Sequence, residues 1–272
     1  MQNRHCPLCH HADSHLKYKV QSFHIVTCRQ CGFVYLANPV DKDKEAEQYD
    51  DYFRSADLGD YSKESSDANL GRAWHLNEQR IGWIRQHLEK GTLLDIGCGR
   101  GFFLQHAQQN GFQVEGVEIS RLAAQYASEH FDLTVHVSSL EQPINFGGDF
   151  DVITMWHVLE HFQQPRAAME NVWSLLKPGG TVFIEVPNLN SLKFKLSPTQ
   201  YKWRGGNHPV YHRSFFTHKS LIHLLELCGF SDIRIEHLSY QTENNKLLHA
   251  PKKLLNLVHL DSFLAISGRK AK

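Results

Sequence analysis

Three groups of residues in this sequence have the types and spacing to do chemistry. Cys6-x-x-Cys9 and Cys28-x-x-Cys31 are two thiol pairs with 18 residues between them, the spacing of a four-cysteine zinc site in which two tight turns each supply two thiolates. Asp95-Ile-Gly97-Cys98-Gly99-Arg100-Gly101 is a glycine-rich loop headed by a carboxylate, and its glycines let a ligand come close to the backbone. TMWHVLEHFQQP, residues 154–165, places His157, Glu160 and His161 three and four positions apart. In a helix all three share one face, where they can hold a metal, move a proton or simply start a helix and position a loop.

Each group has a competing account. The cysteines could be disulfides or unrelated thiols, but the N-terminus MQNRHCPLCHH lacks the apolar stretch of a secretion signal, and disulfides belong to oxidising compartments. About 35 residues bury too little apolar surface to fold alone, so a metal supplies the missing stability. A closed four-ligand site is structural, and no catalysis is assigned to it. His5, His10 and His11 crowd the first pair as substitute ligands. Cys98 and Cys228 stand apart, and a buried thiol accounts for Cys228.

The glycine loop admits a narrower reading. Phe102 stands where a dinucleotide-binding loop wants its third glycine. Asp95 repels a pyrophosphate and attracts an ammonium or sulfonium group. Glu118, 23 residues beyond Asp95, is where an acid accepts both hydroxyls of a ribose. A ligand with a ribose and a positive charge but no phosphate is S-adenosylmethionine.

These residues need elements to hold them. KYKVQSFHIVT between the cysteine pairs alternates as a short hairpin. Residues 38–69 are charged and lack a clear period, a linker with short helices whose Tyr49, Tyr52, Phe53 and Tyr61 close over a ligand or pack on a neighbouring domain. A helical stripe of Trp74, Ile81, Ile84 and Leu88 follows. From Thr92 strand and helix alternate: TLLDI, then FFLQHAQQN stopped by Gly111, QVEGVEI, SRLAAQYASEHF, LTVHV, DVITMW, PRAAMENVWSLL stopped by KPGG, and TVFIEV. SLIHLLELCGF is a further helix, and DIRIEHL and SFLAIS a closing pair of strands. Such alternation predicts an α/β fold, a mostly parallel sheet with helices on both faces and ligands at the carboxyl ends of its strands. The domain reading is a zinc-ribbon-like module over 1–37, linker or lid helices over 38–75 and a catalytic domain over 76–272.

Composition narrows the function. The chain has 272 residues, 41% hydrophobic and 21% charged, with a formal net charge of zero, which argues against disorder and against a basic nucleic-acid groove. Lys252, Lys253, Arg269, Lys270 and Lys272 read as a solvated surface and tail. No run of about 18 apolar residues spans a membrane, and the expected location is cytoplasmic.

The blocks LLDIGCGRGFFLQHAQQNGFQVEGVEIS, FDVITMWHVLEHFQQP and LKPGGTVFIEVPN, in that order over residues 93–188, resemble the class I S-adenosylmethionine-dependent methyltransferases. The cysteine-bearing N-terminus resembles a subset of bacterial methyltransferases of glycan, sugar and secondary metabolism. The resemblance implies a Rossmann-like seven-stranded sheet, with Asp95, Gly97, Cys98, Gly99 and Gly101 near the methionine end of the cofactor. It further implies Glu118 and Ile119 at the ribose, Ser139 and Leu140 beside the adenine and Trp156 near the methionine moiety. Many members carry an acid where this chain reads VSSLEQP.

For His157, Glu160 and His161 three readings stay open. Glu160 and His161 match the ExxEH element of ubiquinone-biosynthesis O-methyltransferases and small-RNA 2′-O-methyltransferases, which holds a divalent ion; His157 replaces its first carboxylate and favours a softer metal. One histidine instead acts as general base, its unperturbed pKa of about 6.5 suiting that role. In the third reading the stretch only starts a helix. RGGNHPVYHRSFF, residues 204–216, supplies His208, Tyr211 and His212; similar zinc-bearing sugar C-methyltransferases remove a proton with a Tyr/His pair in that area, and His212 is taken as a candidate.

The expected activity is methyl transfer from S-adenosylmethionine to an oxygen or carbon of a small molecule or glycan intermediate. Alternatives are methylation of RNA or protein with the zinc module as a docking unit, or a non-catalytic subunit that binds cofactor without turnover.

Overall fold

Alternating and continuous apolar runs fold here into two sheets. The computed structural model describes residues 4–39, 45–55, 68–141, 149–197, 203, 208–238 and 262–272; Tyr61, Arg204, Lys252 and Lys253 lie outside them, as does the Tyr52 side chain.

The N-terminal hairpin is β1 (Ser14–Val20) and β2 (Phe23–Cys28), paired antiparallel, followed by β3 (Val34–Leu36) against β2. The two cysteine turns flank it. Each CxxC is followed by a residue in the left-handed region, His10 at φ 60° and Gly32 at φ 73°, which turns the chain back so that both thiols of a pair face inward. Cys6 Sγ lies 3.7 Å from Cys31 and Cys9 Sγ 3.6 Å from Cys28, and all four sulfurs lie within 4.8 Å of one another. Tetrahedral ligands at about 2.3 Å from zinc are about 3.8 Å apart; a disulfide would bring sulfurs to about 2.05 Å.

Helix α1 (Glu45–Ser55) and helix α2 (Ala68–Arg85) lead into the second sheet. Its strands are β4 (Thr92–Ile96), β5 (Gln113–Glu118), β6 (Val135–Val137), β7 (Phe150–Trp156), β8 (Leu176–Pro187), β10 (Phe230–Glu236) and β11 (Phe263–Lys270), in the order β10-β11-β8-β7-β4-β5-β6. Six run in one direction; β11, between β8 and β10, is antiparallel to both. Helices α3 (Phe102–Gln109), α4 (Arg121–Phe131), α5 (Pro165–Leu175) and α7 (His218–Leu227), with the short α6 (Leu192–Leu196), complete it. The KPGG expected to end α5 as a loop instead lies within β8 as a bulge: Gly179 adopts φ 82°, and the register beside β7 shifts between Leu176 and Thr181.

Period-two alternation sends Leu94, Ile96, Ile153 and Met155 into one core and Leu93, Val152, Trp156 and Phe183 into the other. The first core also contains Cys6, Leu8, Phe33 and Tyr35 of the N-terminal module. The module's sheet takes its fourth strand, β9 (Ser214–Phe215), from the second half of the chain, with Val34 opposite Phe215 and Tyr35 opposite Ser214. Among the described residues no helix is long and apolar enough to cross a membrane.

Candidate active site

The central strands β4 and β7 send their crossovers in opposite directions, and a ligand crevice belongs at the carboxyl ends of strands where the order reverses. A cavity of about 600 Å³ opens there. Gly97, Glu118, Ile119, Ser139 and Leu140 line it on one side and His157, Glu160, His161 and His212 on the other. Tyr49 and Phe53 of α1 also line it, and Arg100 donates to the Phe53 carbonyl with its guanidinium over that ring.

At the glycine loop, Gly97 adopts φ +69° and an added Cβ would collide with Val158, itself on the cavity wall. Gly97→Ala therefore costs about 1–3 kcal/mol and pushes Val158 toward the ligand; thermal unfolding and S-adenosylhomocysteine titration check both. Glu118 accepts from the Gly99 N–H through Oε2 (2.8 Å) and from the Ser120 N–H through Oε1 (2.9 Å). Burial pushes its pKa up, and these N–H groups pull against that. Asp95 is buried under the loop, accepting from the Thr154 hydroxyl at 2.6 Å; burial raises its carboxyl to about 7.

Asp95, Cys98, Gly99, Gly101 and Trp156 do not line the cavity. Trp156 points to the opposite face of the sheet, among Trp83 and Phe103, with the Arg80 guanidinium 4.6 Å above its ring.

The stretch 157–161 is not one helical face. His157 adopts the left-handed φ of +57°, a strained conformation for a non-glycine residue, and its N–H donates to the Glu185 carbonyl. Only Leu159–His161 form a single 3₁₀ turn. The ring of His157 sits between two acids, Nε2 3.0 Å from Glu185 and Nδ1 3.5 Å from Glu160. Glu185 is fully buried and takes two bonds from Arg80, at 3.2 and 3.0 Å. Burial opposes charging of His157, but the Glu185 charge and hydrogen bonds to Glu160 and Glu185 outweigh it and raise its pKa to about 9. His157 is thus a fixed cation at neutral pH.

The donors that do converge are Glu160, His161 and His212, with ligand atoms within 4.8 Å of one another. His212 takes the place expected of His157 because Arg213 and β9 bring residues 211–213 across the turn: the Arg213 N–H donates to the Glu160 carbonyl at 2.8 Å. Glu160 is 2% exposed; its Oε1 faces the His157 Nδ1 at 3.5 Å and the His212 Nε2 at 4.0 Å, and no closer hydrogen bond reaches either carboxylate oxygen among the described residues. Burial opposes its ionisation, but His157 holds its pKa below the usual value. Burial lowers His161, against the pull of Glu160, and drives His212 to about 3. His161 Nδ1 lies 3.0 Å from the Tyr211 carbonyl; this bond assigns the proton to Nδ1 and leaves Nε2 with its lone pair.

Sequence reasoning missed Glu185, Arg80 and Arg213. Glu185 had a signal, a lone acid inside the apolar run TVFIEV; Arg80 and Arg213 had none.

The fold and the cavity are those of a class I S-adenosylmethionine-dependent methyltransferase. A family model described as a methyltransferase domain matches residues 67–235, and the chain belongs to that family. It is 28% identical over 199 residues to the ubiquinone biosynthesis O-methyltransferase of Erwinia tasmaniensis, covering 68% of this chain and 81% of that protein. It is 34% identical over 127 residues to the enzyme of the same name from Paraburkholderia xenovorans, covering 42% of this chain and 53% of that protein. In solved structures the fold recurs in 1,6-didemethyltoxoflavin-N1-methyltransferase of Burkholderia thailandensis, at TM-score 0.56 and 18% identity, covering 96% of this chain and all (100%) of that one. It recurs too in the [4+2]-cyclase SpnF, at TM-score 0.58 and 16% identity, covering 86% and 98%, so the fold alone does not fix the reaction.

Proposed function

We propose that this chain transfers the methyl group of S-adenosylmethionine to a hydroxyl oxygen of a small-molecule or glycan acceptor, and that Glu160, His161 and His212 hold a divalent cation beside that hydroxyl. The observation that carries the reading is Glu160: a buried carboxylate whose one near counter-charge, His157 at 3.5 Å, is shared with Glu185, and which converges with the His161 and His212 rings. One imidazolium shared between two buried carboxylates leaves room for a further cation, and two nitrogens with a carboxylate suit a divalent transition metal. Similarity to ubiquinone-biosynthesis O-methyltransferases supports oxygen as the acceptor atom.

S-adenosylmethionine supplies a methyl group on a sulfonium that is its own leaving group. A cation held by Glu160, His161 and His212 would supply Lewis-acid polarisation of the hydroxyl, so that its proton could leave to water as the oxygen takes the methyl group and S-adenosylhomocysteine departs. The chain's residues do the rest. Glu118 accepts the ribose hydroxyls, Ser139 and Leu140 flank the adenine, and the loop from Gly97 lets the cofactor lie against the backbone. Asp95 sits below that loop, tied to the Thr154 hydroxyl, and supports the turn under the positive end of the cofactor. Tyr49 and Phe53 exclude water. Alignment of oxygen and sulfonium supplies most of the acceleration. His157, held charged by Glu185 and Glu160, orients Glu160 and takes no proton.

A second reading rests on His161. Its Nε2 lone pair, fixed by the Tyr211 carbonyl, can take the hydroxyl proton directly, as a general base without a metal. Transfer of labelled methyl into the polar small-molecule fraction of a cell lysate, with and without chelator, separates the two. Loss on brief chelation and recovery with Mn²⁺ supports the cation; transfer indifferent to chelator leaves His161 as base; no transfer despite cofactor binding overturns both.

The four cysteines are proposed to hold structural zinc. Burial pushes the Cys6 thiol up to about 12 and raises Cys31, while in Cys28 burial is outweighed by hydrogen bonds that lower it; four thiolates within 4.8 Å of one another repel unless a cation sits among them. Cys28→Ser is expected to abolish bound zinc, measured by metal analysis, and to lower the midpoint of thermal unfolding by several degrees or more.

A further inference from the structure

We infer that the four-cysteine module is a clamp on the reacting end of the cavity, and that Arg213 is the positioning residue through which it holds Glu160, His161 and His212. This rests on the reading that chemistry takes place at that end. The turn carrying Glu160 and His161 has four successive carbonyls, and each is held from outside. The Arg213 N–H donates to the carbonyl of Glu160 at 2.8 Å. The Arg213 guanidinium donates to that of His161 at 2.9 Å, the Ser214 hydroxyl to that of Phe162 at 2.9 Å and Arg4 to that of Gln163 at 2.8 Å.

All of these donors belong to the module or are bound to it. Arg4 lies two residues before the first cysteine, and its own carbonyl accepts from the Tyr35 hydroxyl. The Arg213 carbonyl accepts from the Leu36 N–H at 2.9 Å, and Ser214 pairs with Tyr35 where β9 joins β3. Phe33, between the second cysteine turn and β3, packs 5.4 Å from Phe216. The module therefore touches the site through backbone geometry. At the cofactor end, the bonds that hold Glu118 come from the glycine loop and from Ser120, not from the module.

Local stability follows the bonds that hold a segment, so loosening the module should free the reacting end and leave the cofactor end alone. A docking unit for RNA or protein would not show that coupling. Arg213 is 1% exposed, and Arg213→Met keeps its apolar stem while deleting the bond to His161. Arg4→Met, at the edge of the module, is the milder variant.

The test is hydrogen exchange on the full chain loaded with zinc and S-adenosylhomocysteine, for wild type, both variants and wild type stripped by chelator. Amides of residues 157–164 and 208–216 are expected to exchange about tenfold faster or more, while those of 93–120 and the affinity for S-adenosylhomocysteine stay unchanged. Mn²⁺ affinity is expected to fall in the same samples. Unchanged exchange over 157–164, or equal loosening of 93–120, overturns the clamp. Failure of wild type to bind Mn²⁺ counts against the metal reading alone, because exchange still reports on the clamp.

Discussion

Glu160→Gln lowers methyl transfer by about a thousandfold while affinity for S-adenosylhomocysteine stays within about twofold, a loss equal to about 4 kcal/mol of transition-state stabilisation. The substitution keeps the shape of the side chain and removes only the charge. In the folded protein that charge has His157 3.5 Å away as its compensation, His212 4.0 Å away and uncharged, and no hydrogen bond to either oxygen among the described residues. Glutamine in its place makes a poor ligand, so the cation is lost with the rate. The chain is expected to lose a little stability as well: against the pull of burial, His157 holds the Glu160 pKa below its usual value, so the charge favours the fold, and the amide leaves that imidazolium with Glu185 alone; the metal-free variant should unfold slightly below the wild-type temperature. If His161 acts alone as base, the loss stays within about a hundredfold and chelator has no effect on either protein. A rate that falls only in step with cofactor affinity removes Glu160 from the reaction.

That prediction depends on a cluster the sequence showed only in part. Glycine loop and Glu118 are readable because they are local: a strand, a turn and the next parallel strand place Gly99 and Ser120 against Glu118 with few contacts from elsewhere. The cysteine pairs are readable for the same reason. His157, Glu160 and His161 have helical spacing, but Glu185 of the neighbouring strand captures the His157 N–H and its ring together, and a local period cannot anticipate a partner 28 residues away. His212 reaches Glu160 only because β9 crosses to β3, a pairing between residues about 180 apart in sequence that a strand of two residues hardly announces. Trp156 follows from strand parity: adjacent to Met155, it must face the other side of the sheet, where Arg80 covers it.

Glu118→Gln is expected to weaken S-adenosylhomocysteine about a hundredfold, or about 2.7 kcal/mol. Each carboxylate oxygen already accepts one backbone N–H, from Gly99 or from Ser120, and keeps a further lone pair toward the cavity. A glutamine can match one of these bonds; its NH₂ then faces an N–H, donor against donor, and one ribose hydroxyl loses its acceptor. Bonds to a charged group are worth about 1.5–3 kcal/mol each, which sets the scale. At a ligand concentration of about 100 times the wild-type Kd, binding stabilises the wild type by about 2.7 kcal/mol and the variant by about 0.4, so the thermal shift nearly vanishes. Since the amide introduced by Glu118→Gln would also disturb the loop, the decisive comparison is an analogue lacking the 2′-hydroxyl. Wild type should bind it about tenfold or more weaker than the parent compound, and Glu118→Gln should bind the two alike, because the interaction being removed is the same one. If the variant still discriminates as wild type does, Glu118 shapes the loop and some other group reads the ribose.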